Sequence, residues 1–228
     1  MIDQALVDQI ASEIRSLETQ YQLSQGLILT EDDLKCHLFS RISTLVNLSQ
    51  HTVDPSVLGS PIHSEVKFFD EYGKLTLIPD LTIIRPENLS IFHSVEFSVK
   101  AGGIVQYEPY STKSFEIGGD AIIIELKFCR SKSGLSNKNI QSYQSDIDKI
   151  SRLQSIVNNR SQGRDRLHGI FAVFNKTNKG LQKFIALELA NSNVLDIELI
   201  YCTGNVDFSL SRHLGSHSGY LTEPVRIC

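Results

Sequence analysis

The chain has 228 residues, a hydrophobic fraction of 41% and a net charge of −4, a length that suits one α/β domain with an extension or two small domains and a composition ordinary for a soluble globular protein. No apolar run approaches the roughly 20 residues that span a bilayer, and the Met1-Ile2-Asp3-Gln4 start lacks the basic region and apolar core of a signal peptide, so the expectation is a cytoplasmic protein without a membrane partner. Cys36, Cys129, Cys202 and Cys228 are scattered with no Cys-x-x-Cys pair, which gives a zinc knuckle or redox motif no support and predicts reduced thiols.

Apolar residues at Leu6, Ile10, Ile14, Leu17 and Tyr21 predict an amphipathic helix over 3–24, closed by Gly26. Thr30 has the position of an N-cap with Asp33 as its capping-box partner. A second helix is predicted from there to about Leu48, with Leu34, Leu38, Ile42 and Leu45 on one stripe. The polar stretch 49–61 is a loop. Residues 63–69 are a strand, Asp70-Glu71-Tyr72-Gly73 a turn, and 74–84 the returning strand, stopped by Pro86. Residues 91–100 alternate as a further strand, and the stretch through Gly102-Gly103 and Gly118-Gly119 is a hairpin or loop insertion.

The run 121–129 is the central strand, followed by a polar, flexible linker at 131–136. Ile140, Tyr143, Ile147, Ile150, Leu153 and Val157 predict a helix over 138–158. A basic loop (159–166), an apolar strand (167–174), a short helix with a strand as its alternative (180–190) and a last strand (194–202) complete the series. The tail from Thr203 has few periodic apolar residues. The order is α-α-β-β-(β)-β-α-β-α-β, a mixed sheet with flanking helices.

The charge is segregated. Between Leu126 and Lys183 twelve Lys or Arg meet only Asp146, Asp148 and Asp165, a segment charge of +9 that leaves −13 for the rest. Such a segment suits a polyanion, and it suits equally a solvated helix and its loops. Within the central strand, Glu125 and Lys127 stand two residues apart and so share one face. Charges are rarely buried unless paired, bound to metal or used chemically. Pro79-Asp80 ends an upstream strand and can bring a second carboxylate to the same place. Two carboxylates and a lysine make a divalent-metal site with a cationic helper; an ion pair at a sheet end is the plainer alternative.

Pro79-Asp80, then Glu125-Leu126-Lys127 in an apolar strand, then a helix and a strand resemble the PD-(D/E)XK nuclease superfamily, the restriction endonuclease-like fold. Its α-β-β-β-α-β core matches residues 31–174 in order. The resemblance implies one nuclease-like domain over 1–228. Residues 1–30 are an N-terminal helix, 31–174 the core with a β insertion at 86–119, and 175–228 a C-terminal extension. The insertion accounts for the 44 residues between Asp80 and Glu125, more than the family's usual spacing. A branch with Gln-x-x-x-Tyr on the following helix is disfavoured, because Gln141-Ser142-Tyr143-Gln144 lacks that spacing.

By the resemblance, Asp80 and Glu125 bind Mg²⁺, with Mn²⁺ able to substitute. The Leu126 backbone carbonyl adds a ligand, and Lys127 assists the attacking water. Mg²⁺ takes one or two carboxylates with waters and substrate phosphate, which agrees with those roles. Glu31 and Glu65 compete for the place of a further acid, with Asp32 and Asp33 as neighbours of the first. Acids in a helix first turn are favoured by the dipole alone, and Glu65 also suits a cross-strand lysine. Arg130, Lys132, Lys138, Gln141, Gln144, Lys149 and Arg152 are the residues expected to meet nucleic acid.

The implied activity is Mg²⁺-dependent endonucleolytic hydrolysis of DNA. A non-catalytic nucleic-acid-binding or assembly module on the same fold is the alternative. RNA is the alternative substrate, and two coordinated cuts would suggest a homodimer. His213 and His217 are four apart but in a Gly/Ser-rich stretch, poor context for a metal pair. No Gly-x-Ser-x-Gly elbow, phosphate-binding loop or dinucleotide fingerprint is present.

Overall fold

The computed structural model describes residues 2–24, 26–69, 75–100, 104–194 and 196–205. The turn at 70–73, Gly102-Gly103, His213, His217 and Cys228 lie outside the described residues. The helices are α1 (Gln4–Leu23), α2 (Glu31–Ile42), α3 (Asn137–Ser161) and α4 (Leu181–Ala190). The strands are β1 (Gln50–His51), β2 (Leu58–Gly59), β3 (Ile62–Ser64), β4 (Phe68–Phe69), β5 (Leu75–Leu77) and β6 (Leu81–Ile84). They continue with β7 (Leu89–Lys100), β8 (Ile104–Ile117), β9 (Ala121–Cys129), β10 (Leu167–Asn175) and β11 (Ile197–Thr203). No helix among the described residues is long and apolar enough to cross a membrane.

A five-stranded mixed sheet, ordered β11-β10-β9-β6-β3, forms the centre. β9, β10 and β11 run parallel, while β6 and β3 run antiparallel to their neighbours. Helices cover both faces. Ile122, Ile124 and Leu126 of β9 pack with α1 and α2 in one apolar cluster. Ala121, Ile123 and Cys129 pack with α3 and α4 in the other. This double burial explains why β9 and β10 read as almost unbroken apolar runs.

The helix starts are held by local chemistry. Asp3 accepts from the Leu6 N–H, and Thr30 with Asp33 forms the expected capping box. Ser136 and Asn139 form a second one at α3. α2 stops at Ile42, short of the expected Leu48. The Ser43 and Thr44 hydroxyls turn back onto the Phe39 and Arg41 carbonyls, the local competition that makes such residues poor helix continuers.

Both strands expected around the 70–73 turn are divided. Glu65 adopts φ +52° and separates β3 from β4, and Pro79 separates β5 from β6. Each outer half, β4 and β5, joins a second sheet ordered β5-β4-β8-β7. The expected insertion is therefore a long antiparallel ribbon, β7 with β8. The loop at 49–61 contains the short β1–β2 pair. Residues 181–190 are helical, as favoured over the strand alternative.

The 131–136 segment is not a flexible linker. Leu135 is buried, its N–H donates to the Lys179 carbonyl, and Gly134 at φ +71° lies against that same carbonyl. A buried apolar anchor and a backbone contact thus fix the passage from β9 to α3 onto the turn before α4.

Candidate active site

β6 pairs with β9 through Leu81 opposite Ile124, and Thr82 opposite Ile123. Continuing that antiparallel register by one position puts Asp80 opposite Glu125. Because β6 begins only at Leu81, no strand among the described residues stands beside that edge of β9 beyond Ile124. Two carboxylates take the strand's place: Asp80 Oδ2 accepts from the Leu126 N–H at 2.7 Å, and Glu31 Oε2 from the Phe128 N–H at 3.0 Å. A strand residue's N–H and C=O point to the same edge, so the Leu126 carbonyl opens on the side where Asp80 stands.

Glu125 belongs to the other set of β9 side chains, those directed at α3. It is 4% exposed. Its Oε1 accepts from Lys127 Nζ and from Lys149 Nζ, each at 2.9 Å. Its Oε2 is buried without a hydrogen-bond partner. Asp146, on α3, sits between the same two lysines at 3.1 Å from Lys127 and 3.3 Å from Lys149. Lys149 also donates to the Ile78 carbonyl at 3.3 Å, tying α3 to the chain just before Pro79-Asp80.

Burial pushes the Asp80 carboxyl above its usual range, against the pull of the Leu126 N–H and Lys127; Glu31 adds to the rise. Burial also raises Glu125, and the neighbouring Asp80 raises it further, while Lys127 and Lys149 oppose the change. For Lys127 burial works downward, but Glu125, Asp146 and Glu31 outweigh it and the ammonium is held above its ordinary value. The two acids and the lysine singled out in the sequence are therefore electrostatically coupled in one place.

The further acids separate from one another. Glu31 reaches the site through its hydrogen bond to β9 and its field on Asp80. Glu65 is 63% exposed at its side chain and pairs with Lys35, which also meets Asp32. Asp33 is spent on the capping box. Among the described residues, no group of three or more His, Cys, Asp or Glu is gathered in a form that could hold a metal ion. Two carboxylates and a carbonyl lie below that number and within what Mg²⁺ uses when water and phosphate complete its shell. The unpartnered Glu125 Oε2 is what such a cation would satisfy, so the residues present fit the ion.

Arg130, Lys132 and Lys138 are exposed around the end of β9 and the start of α3, and Gln141 and Arg152 are exposed along α3. Gln144 bonds Asp148 and Asn191, which locks α3 to the end of α4. Lys149 is drawn into the carboxylate cluster. Asp146 went unrecognised in the sequence, although a signal existed: it lies three residues after Tyr143, where a core-facing helix stripe would carry an apolar side chain. Comparison with protein-family models, with curated proteins and with solved structures found no match.

Proposed function

We propose that this chain is a Mg²⁺-dependent endodeoxyribonuclease of restriction endonuclease-like fold, with its chemistry at Asp80, Glu125 and Lys127. The observation that carries the reading is the buried, unpartnered Glu125 Oε2, beside Asp80 and on the same carboxylate that Lys127 grips. An acceptor left unsatisfied in a protein interior costs stability, and a use for it offsets that cost. The order α2-β3-β6-β9-α3-β10 agrees with an α-β-β-β-α-β core and supports the finer fold reading.

Asp80, Glu125 and the Leu126 carbonyl would hold Mg²⁺, which when bound polarises a phosphoryl oxygen and makes its bound water a stronger nucleophile. Lys127 faces two carboxylates, so its role is that of a cation and hydrogen-bond donor, not a proton acceptor. It would orient the attacking water or stabilise charge that develops on the phosphate. Asp80 has a second task, holding the Leu126 N–H and with it the adjoining carbonyl.

A non-catalytic nucleic-acid-binding module is the competing reading. It is favoured by one feature: Glu125 Oε1 is already neutralised by two lysines. Incubation with duplex DNA, single strands and RNA, with and without Mg²⁺, separates the two. The expected result is Mg²⁺-dependent cleavage of DNA that Asp80→Asn lowers more than about a hundredfold, since even outer partners of metal ligands are worth 10–100-fold. Binding without cleavage on every substrate, with Mg²⁺ and with Mn²⁺, would overturn the enzyme reading.

A further inference from the structure

Lys149 is 22 positions from Lys127 in the chain, yet the two ammonium groups share the same pair of carboxylates. Each lysine side chain is 18% exposed, so both heads are largely withdrawn from water without being sealed from it. Lys127, Lys149, Glu125 and Asp146 cancel one another in formal charge. Asp80 and Glu31 leave the cluster with two negative charges in excess. Such a cluster repels a phosphodiester as long as no cation is present.

A divalent cation held by Asp80 and Glu125 would cancel that charge. It also competes for the electrons of Glu125, the acceptor that both lysines use. The Glu125 Oε1 is then a weaker acceptor, and Asp146 is the carboxylate left at full strength for two lysines. Lys127 shares one face of β9 with Glu125, so the strand itself keeps the two side by side. Lys149 reaches in from α3 on a long flexible stem and keeps a lesser bond to the Ile78 carbonyl, so it is the group that can turn toward an incoming anion.

We propose that Lys149 is the phosphate-binding cation of this site, masked by Glu125 and Asp146 in the metal-free protein and released for substrate when a divalent ion loads. The inference rests on the nuclease reading of the Asp80–Glu125 site and deepens it: DNA affinity is gated by the cation, and the gate is a lysine outside the Glu-x-Lys triplet.

The test measures binding of a duplex DNA oligonucleotide across a salt series, in Ca²⁺ and in EDTA, for wild type and Lys149→Met. Ca²⁺ serves as a divalent ion expected to support binding with little cleavage. Wild type is expected to bind at least about tenfold tighter in Ca²⁺ than in EDTA. Lys149→Met should lose about tenfold in Ca²⁺, flatten the plot of log affinity against log salt by about one unit there, and lose clearly less in EDTA, where the lysine is held by its carboxylates. Thermal melts verify folding, and Lys149→Gln, which keeps a donor for Ile78 and Asp146, replaces the Met variant if that one does not fold. Equal losses in Ca²⁺ and EDTA, or no loss in either, overturn the inference while wild-type binding in Ca²⁺ leaves the nuclease reading standing. A wild type without Ca²⁺-dependent affinity and without Mg²⁺-dependent cleavage overturns both.

Discussion

Glu31 and His63 show how single residues divide between structure and chemistry. The Glu31 carboxylate accepts the Phe128 N–H on an edge of β9 that no strand among the described residues covers. Glu31→Ala is expected to cost about 1 kcal/mol in denaturant unfolding, the net worth of one such bond. Glu31→Gln keeps an acceptor and should recover most of it. If the proposed cleavage is observed, its retention in the Gln variant makes Glu31 a cap for β9, and a loss comparable to Asp80→Asn makes it a member of the proposed metal site. His63 stands opposite Thr82 in the β3–β6 pairing, and its Nε2 is buried without a partner. Burial lowers its pKa below the ordinary value of 6.5, against a bond to the backbone of Ser60 that raises it. The unfolded chain then takes up the proton first as pH falls. Stability due to this group is complete above about pH 6.5, declines through the interval down to the folded pKa, and stays lost below it. Melting wild type and His63→Leu between pH 8 and pH 5 should show a smaller drop in Tm for the variant.

At the scale of elements, the site depends on where segments stop. β6 begins at Leu81 and so leaves β9 uncovered from Glu125 onward, which is what brings Asp80 and Glu31 to its N–H groups. α2 carries Glu31 at its first position, and the Thr30 capping box sets that position. Thr30→Ala is expected to cost about 1 kcal/mol, the usual worth of an N-cap, read by thermal or denaturant unfolding. α3 is oriented over Glu125 by the fixed segment before it. A Cβ on Gly134 would stand 1.9 Å from the Lys179 carbonyl oxygen, in a backbone region that L side chains avoid. Gly134→Ala should therefore destabilise by about 2 kcal/mol or more, and it should lower the proposed cleavage by shifting Lys149 and Asp146 relative to β9. Intact stability in that variant would contradict the packing role given to this segment.

At the scale of the molecule, the basic segment is spread along the length of one helix and past both its ends. α3 has 25 residues, a rod of about 37 Å at 1.5 Å per residue. Arg130, Lys132 and Lys138 lie near its start, and Arg160, Arg164 and Arg166 at or beyond its end. If four of these positive groups reach phosphates together, affinity should fall about a hundredfold between 50 and 200 mM salt; a salt-independent affinity would argue against backbone binding. The run of positive residues was visible in the sequence, but a helix carries its two ends apart, and only the fold shows which residues share a surface. The amphipathic stripes of α1 and α3, the capping box at Thr30 and the doubly buried β9 could be read directly, because each depends on contacts that recur at fixed local spacing. Asp80, Glu125 and Lys127 could be named for the related reason that charge in an apolar strand is conspicuous. The division of the strands at Glu65 and Pro79, the packing of Leu135 and the entry of Asp146 and Lys149 were decided by tertiary structure. Those depend on which residues meet across long separations, and local periodicity holds no record of such meetings.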